Sequence, residues 1–166
     1  MALTAGSFHT QPDQHIFGAV GDSAPDRWGR VLMRRAHAAR AREIGEAPRT
    51  LAEMDYLLGV SDESREGALR FSEKIDGPFL SIQSHSTIPP LVDLPKLLAA
   101  TDRYLDDEDS AQDLKLLLAP GSSLGGARPK ASVRDTGGSL MIAKFAHKDD
   151  PFNSVIWEAV ALTLAE

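Results

Sequence analysis

The chain of 166 residues contains no cysteine. That excludes disulfides, thiolate metal ligands and a cysteine nucleophile, and it suits a reducing compartment. An excess of basic charge is missing as well. Lysine and arginine number 18 against 24 acidic residues, a net charge of −6, the opposite of the footprint that nucleic-acid binding leaves. No apolar run approaches the roughly 20 residues of a membrane span, and Met1 to Thr10 has neither the basic nor the apolar part of a signal peptide. The expectation is a cytoplasmic chain with no direct nucleic-acid or membrane partner. The histidines show no zinc-ligand spacing, nothing forms a Ser-His-Asp set, and no carboxylate pair marks a glycosidase. Repeats and low-complexity tracts are absent too.

What is present is enough apolar residue, 42%, for one domain or two small ones with a real core. Residues 1–14 read as a loose lead-in, and His15 to Val20 as a short apolar strand or turn. Ser23-Ala24-Pro25-Asp26 is a helix-start signal, with a capping serine, a proline and a first-turn acid. The helix it opens carries Trp28, Leu32, Ala36 and Ala39 and runs to Gly45. Thr50 and Glu53 have capping-box spacing before a short helix through Leu57 and Leu58 that Gly59 ends. Ala68–Lys74 and Phe79–Gln83 read as strands around the turn Asp76-Gly77-Pro78. Thr87–Pro95, with three prolines, reads as a loop. Leu94–Leu105 and Ala111–Leu118 read as helices on either side of the acidic run Asp106–Asp109, and a subdomain boundary falls at Pro120.

The chemistry concentrates after that boundary. Ser122-Ser123-Leu124-Gly125-Gly126-Ala127-Arg128-Pro129-Lys130 is a small-residue loop. Strand-like Ala131–Arg134 follows, then the turn Thr136-Gly137-Gly138 and the strand Leu140–Phe145, which carries Lys144. A helix from about Asn153 presents one acid, Glu158. Loop, strand lysine and helix glutamate are the nucleotide-holding parts of a protein-kinase N-lobe. Amides approach phosphates, the lysine offsets their charge, and the glutamate holds the lysine. Alone, the loop reads as a flexible hairpin lead, and it is no Walker A motif because Lys130 follows proline. His147-Lys148-Asp149 with Asn153 imitates a kinase catalytic loop, but the asparagine comes one position early. Those residues read instead as a lead into the last helix. Six arginines between Arg27 and Arg42 read as a solvated helix face, with a docking surface for an acidic partner, or for DNA carried by a partner, as the alternative.

Several segments together resemble the HipA family of serine/threonine kinases, the toxins of HipA–HipB toxin–antitoxin modules. They are Phe17-Gly18, Asp22-Ser23-Ala24-Pro25-Asp26-Arg27-Trp28-Gly29-Arg30, Asp55–Val60, Gly67-Ala68-Leu69-Arg70-Phe71, Ser122–Ala131, Ile142-Ala143-Lys144-Phe145 and Trp157-Glu158-Ala159. They run in family order from about Phe17 to Glu166. The resemblance implies an α+β chain: a mainly helical segment with a small β-hairpin, then the start of a protein-kinase-like N-lobe. Its divisions would be a HipA-like N-terminal subdomain over 15–119 and a partial N-lobe over 120–166. It implies nucleotide contacts at Ser123, Gly125, Gly126, Ala127, Lys130, Lys144 and Glu158, with Ser123 also the phosphosite. ATP and magnesium serve the complete family protein.

Two elements of the family pattern are missing: most of the N-terminal β-subdomain, and the C-lobe with its catalytic-loop and metal-binding aspartates. The expectation is therefore the N-terminal portion of a HipA-like kinase, inactive alone, with no catalytic or metal-ligating residue of its own. Implied partners are a HipB-like DNA-binding antitoxin and a separately encoded C-lobe. The alternatives are a stand-alone interaction module that binds either of these, and an unrelated small nucleotide-binding domain.

Overall fold

Amphipathic spacing places the helices, and one turn places the hairpin. The computed structural model describes residues 6–72, 74–80, 88–121, 123–147 and 149–165. Among them are α1 (Gly18–Gly21), α2 (Arg27–Glu43), α3 (Glu53–Leu58), α4 (Leu94–Leu105), α5 (Ala111–Gly121), β1 (Lys130–Arg134), β2 (Leu140–Lys144) and α6 (Ser154–Leu164). The class is α+β, six helices and a two-stranded antiparallel hairpin among the described residues. No helix among them is long and apolar enough to cross a membrane.

Helices α2, α4 and α5 each bury one stripe, and the stripes meet over β1. The core holds Trp28 and Leu32 from α2, Leu97, Ala100 and Tyr104 from α4, and Leu114 and Leu117 from α5. Ala131 and Val133 of β1 close it, with Phe145 just beyond β2. Each fully buried leucine contributes roughly 1.5–3 kcal/mol of burial free energy, so these contacts dominate the stability. The end of α5 crosses Trp28 so closely that a Cβ at Gly121 would lie 2.7 Å from Leu32 Cδ1 and 3.1 Å from Trp28 Nε1. A side chain there would force Leu32 and Trp28 to shift.

The hairpin forms as expected. Strands β1 and β2 pair from Lys130↔Lys144 to Arg134↔Leu140, and Gly138 takes the positive φ of +85° that the turn requires. Strand β1 is buried along its centre, whereas β2 leaves Leu140, Met141 and Ile142 about half exposed.

Several local expectations need correction. Of the two readings of His15–Val20, the strand does not form and the turn does, as one helical turn at Gly18–Gly21. Helix α2 starts after Asp26, not at Ser23, because Ser23 is buried and its carbonyl accepts a hydrogen bond from Arg65 at 2.9 Å. Thr50 and Glu53 form no capping box. The cap lies at Ala52, whose N–H donates to Asp55 at 2.8 Å, while Glu53 is drawn to Arg30 at 2.6 Å. Arg49 holds the Asp55 carboxyl down at about 2. Of the strands expected at 68–74 and 79–83, residues 68–72, 74 and 79–80 form none, and Glu73 and 81–83 lie outside the described residues. One backbone bond, Leu80 N–H to Phe71 O at 2.7 Å, spans that segment, and a pair of strands needs a ladder. Leu91–Asp93 forms a 3-10 turn within the expected loop. Helix α5 extends three residues further than expected, through Pro120. Two of the six arginines serve the fold, Arg30 with Glu53 and Arg35 with Asp107 and Asp109.

A reciprocal cap does occur, at α5. Ser110 Oγ accepts the Asp113 N–H at 3.2 Å and the Asp113 carboxylate accepts the Ser110 N–H at 2.9 Å. Arg103 adds an ion pair and, with those Ser110 bonds, holds the buried Asp113 carboxyl well below its usual range despite burial. A depressed carboxylate stabilises the fold above its unfolded pKa, about 3.9, and loses that contribution as pH falls through its folded value. Urea midpoints should therefore drop between about pH 4 and pH 2, and Asp113→Asn should flatten the drop. An equally steep fall in the variant would remove Asp113 from the account. Arg103 is half exposed, so solvent screening limits the effect.

Candidate functional site

The hairpin register brings Lys130 and Lys144 directly opposite each other. Like charges facing across two strands repel, and each lysine has a separate partner. Lys144 Nζ forms an ion pair with Glu158 of α6, both side chains close to half exposed. Lys130 Nζ donates to the Gly125 carbonyl. Helix α6 is set in place by its cap, since Asn153 Oδ1 accepts the Ile156 N–H at 3.1 Å, as expected of an asparagine there.

Before that cap, Arg128, Asp150 and Ser154 form a network. Arg128 pairs with Asp150 at 3.0 Å, and the Ser154 hydroxyl donates to Asp150 at 3.0 Å and accepts from Arg128. Burial pushes the Asp150 carboxyl up, but the His147 N–H, Ser154 and Arg128 together hold it below its ordinary value. Asp149, by contrast, is exposed and caps nothing. Lys148 lies outside the described residues.

Arg128, Lys130, Lys144, Phe145, Ser154, Val155 and Glu158 line a cavity of about 140 Å³. Of its three lining cations Lys144 is paired with Glu158 and Arg128 with Asp150, so an anion there would compete with those two carboxylates. The volume suits a phosphate group and falls short of the roughly 300–1,000 Å³ of a typical ligand pocket. A larger cavity of about 710 Å³ lies elsewhere, between α2, α3 and α5, lined by Met33, His37, Leu51 and Leu114 among others. None of the loop, lysine or Glu158 residues reaches it. Glu158 is engaged by Lys144, and Asp150 by Arg128 and Ser154. Among the described residues no group of three or more His, Asp or Glu could hold a metal ion.

The loop itself is held from the start of α2. Trp28 N–H donates to Gly126 O at 3.0 Å, and Trp28 Nε1–H to Lys130 O at 2.9 Å. Gly126 N–H donates to Asp26 Oδ2 at 2.9 Å, and Gly125 N–H reaches Glu66 Oε1 at 3.4 Å. Asp26 therefore makes no side-chain cap for α2 although it stands at the capping position.

The loop positions split in accessibility. Gly126 and Ala127 are exposed and Gly125 is half-buried. Ser123 is 4% exposed, and its hydroxyl has no hydrogen-bond partner. In this conformation no phosphoryl donor reaches that hydroxyl, so modification would require the loop to open. Ser122 lies outside the described residues. The structure thus brings Lys130, Lys144 and Glu158 to one cavity, puts Gly125 and Gly126 on the adjoining loop, and turns Ser123 inward.

Sequence reasoning missed Asp26, Glu66 and the Arg128–Asp150–Ser154 network. The partners of Asp26, Glu66 and Arg128 lie tens of residues away, and Asp26 carried a local explanation as a helix-start acid. Comparison with protein-family models, with curated proteins and with solved structures returned no match.

Proposed function

We propose that this chain is the N-terminal portion of a HipA-like serine/threonine kinase, carrying its phosphate loop and lysine. The single observation that supports this is the Lys144–Glu158 ion pair, a strand lysine held by a helix glutamate beside the glycine loop. Such a lysine neutralises nucleotide phosphate charge, and the glutamate fixes where that charge points. Arg128 and Lys130 would add to the phosphate contacts, and the space for base and sugar lies outside the 140 Å³ cavity. Bound ATP would supply the transferable phosphoryl group. The chain's own residues would bind and orient it, and the 166 residues hold no counterpart of the family's catalytic-loop or metal-binding aspartates.

Titration calorimetry with ATP tests the proposal. A charged hydrogen bond contributes roughly 1.5–3 kcal/mol, so Lys144→Ala should weaken binding about 10- to 100-fold. No binding by the parent chain, or the same affinity in the variant, would reject it.

The interaction module is a second reading, favoured by one surface. Ile156, Trp157 and Leu162 on α6 and Ile142 on β2 are each more than half exposed, and apolar surface of that kind marks sites of association.

A further inference from the structure

The amides of Gly125 and Gly126 meet two carboxylates of the chain itself, Asp26 at 2.9 Å and Glu66 at 3.4 Å. Contact is close: a Cβ at Gly125 would lie 3.2 Å from Asp26 Oδ2 and 3.7 Å from Glu66 Oε2. Gly126 has φ +86°. Successive backbone N–H groups around a left-handed residue form a concavity that attracts anions. Here the anion is a side chain. Lys130, the nearby cation, is turned back onto the Gly125 carbonyl, and Trp28 N–H closes the other side of the loop at Gly126 O, 3.0 Å away.

We propose that Asp26, assisted by Glu66, is an internal anion that occupies the phosphate position of the glycine loop and holds it closed. The inference rests on the loop being the phosphate loop of a nucleotide site. A tethered carboxylate competes as though present at roughly millimolar concentration, without leaving the molecule. It carries one charge where a triphosphate carries several. The triphosphate can also recruit Lys130 and Lys144, so it displaces the carboxylate and frees Lys130 from the loop carbonyl. Asp26 thereby regulates the site that Lys144 and Glu158 define. The same contact explains why an aspartate stands ahead of α2 without capping it.

The isotope-labelled 166-residue chain, titrated with tripolyphosphate, tests this by the amide resonances of Gly125 and Gly126. In the double variant Asp26→Asn, Glu66→Gln those resonances should move at about tenfold lower concentration than in the parent, since a charged competitor has gone. The amide side chains keep an acceptor for each N–H. Glu66→Gln alone, at the longer contact and away from the start of α2, should shift the titration the same way by less. That variant decides the matter if Asp26→Asn does not fold. Equal or weaker response in the variants, or no response at the two glycines, overturns the internal anion.

A parallel ATP titration separates the two proposals. If ATP binds no better than tripolyphosphate while the variants gain, the internal anion stands and the nucleotide assignment falls. If ATP binds through Lys144 but the variants lose affinity, only the internal anion falls.

Discussion

Replacing Trp28 with alanine should lower the free energy of unfolding by about 3–5 kcal/mol, the cost of emptying a buried aromatic site. Folded domains have only about 5–15 kcal/mol in total, so this variant should melt early or fail to fold. Trp28 is 4% exposed and meets Tyr104 edge-on, with ring centroids 5.2 Å apart. Its indole N–H also supports the Lys130 carbonyl at 2.9 Å, which ties α2 to the first residue of β1. Trp28→Phe separates these two roles. It keeps much of the ring packing and leaves the carbonyl without its donor, a loss of about 1–3 kcal/mol. Urea denaturation followed by circular dichroism reads both variants. A Trp28→Ala chain within about 1 kcal/mol of the parent would contradict the core position, since substitutions away from such features cost little.

Arg65→Met should be almost as damaging, at about 3 kcal/mol, because removing the donor strands several buried acceptors together. The Arg65 guanidinium is buried. It donates to the carbonyls of Ser23 at 2.9 Å, Leu57 at 2.8 Å and Val60 at 3.2 Å. It also lies 4.7 Å from the centre of the Phe71 ring. Burial lowers its pKa, yet arginine stays cationic at any working pH. One side chain thus ties the turn before α2, the end of α3 and the irregular segment after it, a stretch with no strand ladder among its described residues. Arg65→Lys should recover less than half of the loss, because a compact ammonium lacks the planar fork that reaches several carbonyls at once. Full rescue by lysine would show that charge alone matters there. Measured urea midpoints, with the slope checked for constancy, distinguish the outcomes.

Much of the fold was legible because its signals are local. Helix α4 forms over the predicted Leu94–Leu105, with Leu97, Ala100, Thr101 and Tyr104 on its buried stripe, since spacing of three and four residues puts them on one face. The hairpin followed from a glycine turn between two short β-prone runs. The Lys144–Glu158 pair lies only 14 positions apart in sequence, across one loop and the start of a helix, so its meeting was foreseeable too. Signals of the same kind produced no strand over the described residues 68–72 and 74–80. A turn motif between β-prone residues does not make strands unless a further strand or a helix covers one face, and among the described residues of that segment only one bond forms across it.

What the chain determined by itself was which segments coil, which pair, and which lysine and glutamate share an end of the hairpin. All of these depend on neighbours within a few turns. Tertiary structure alone decided where Asp26, Trp28 and Arg65 direct their polar groups. Asp26 crosses 100 positions to the Gly126 amide and Trp28 crosses 102 to the Lys130 carbonyl, while Arg65 reaches back 42 to Ser23. Asp26 and Trp28 had sufficient local readings, as a helix-start acid and an apolar residue of the helix, and Arg65 had none. A buried donor or acceptor must find a partner wherever packing brings one, and packing is a property of the whole chain.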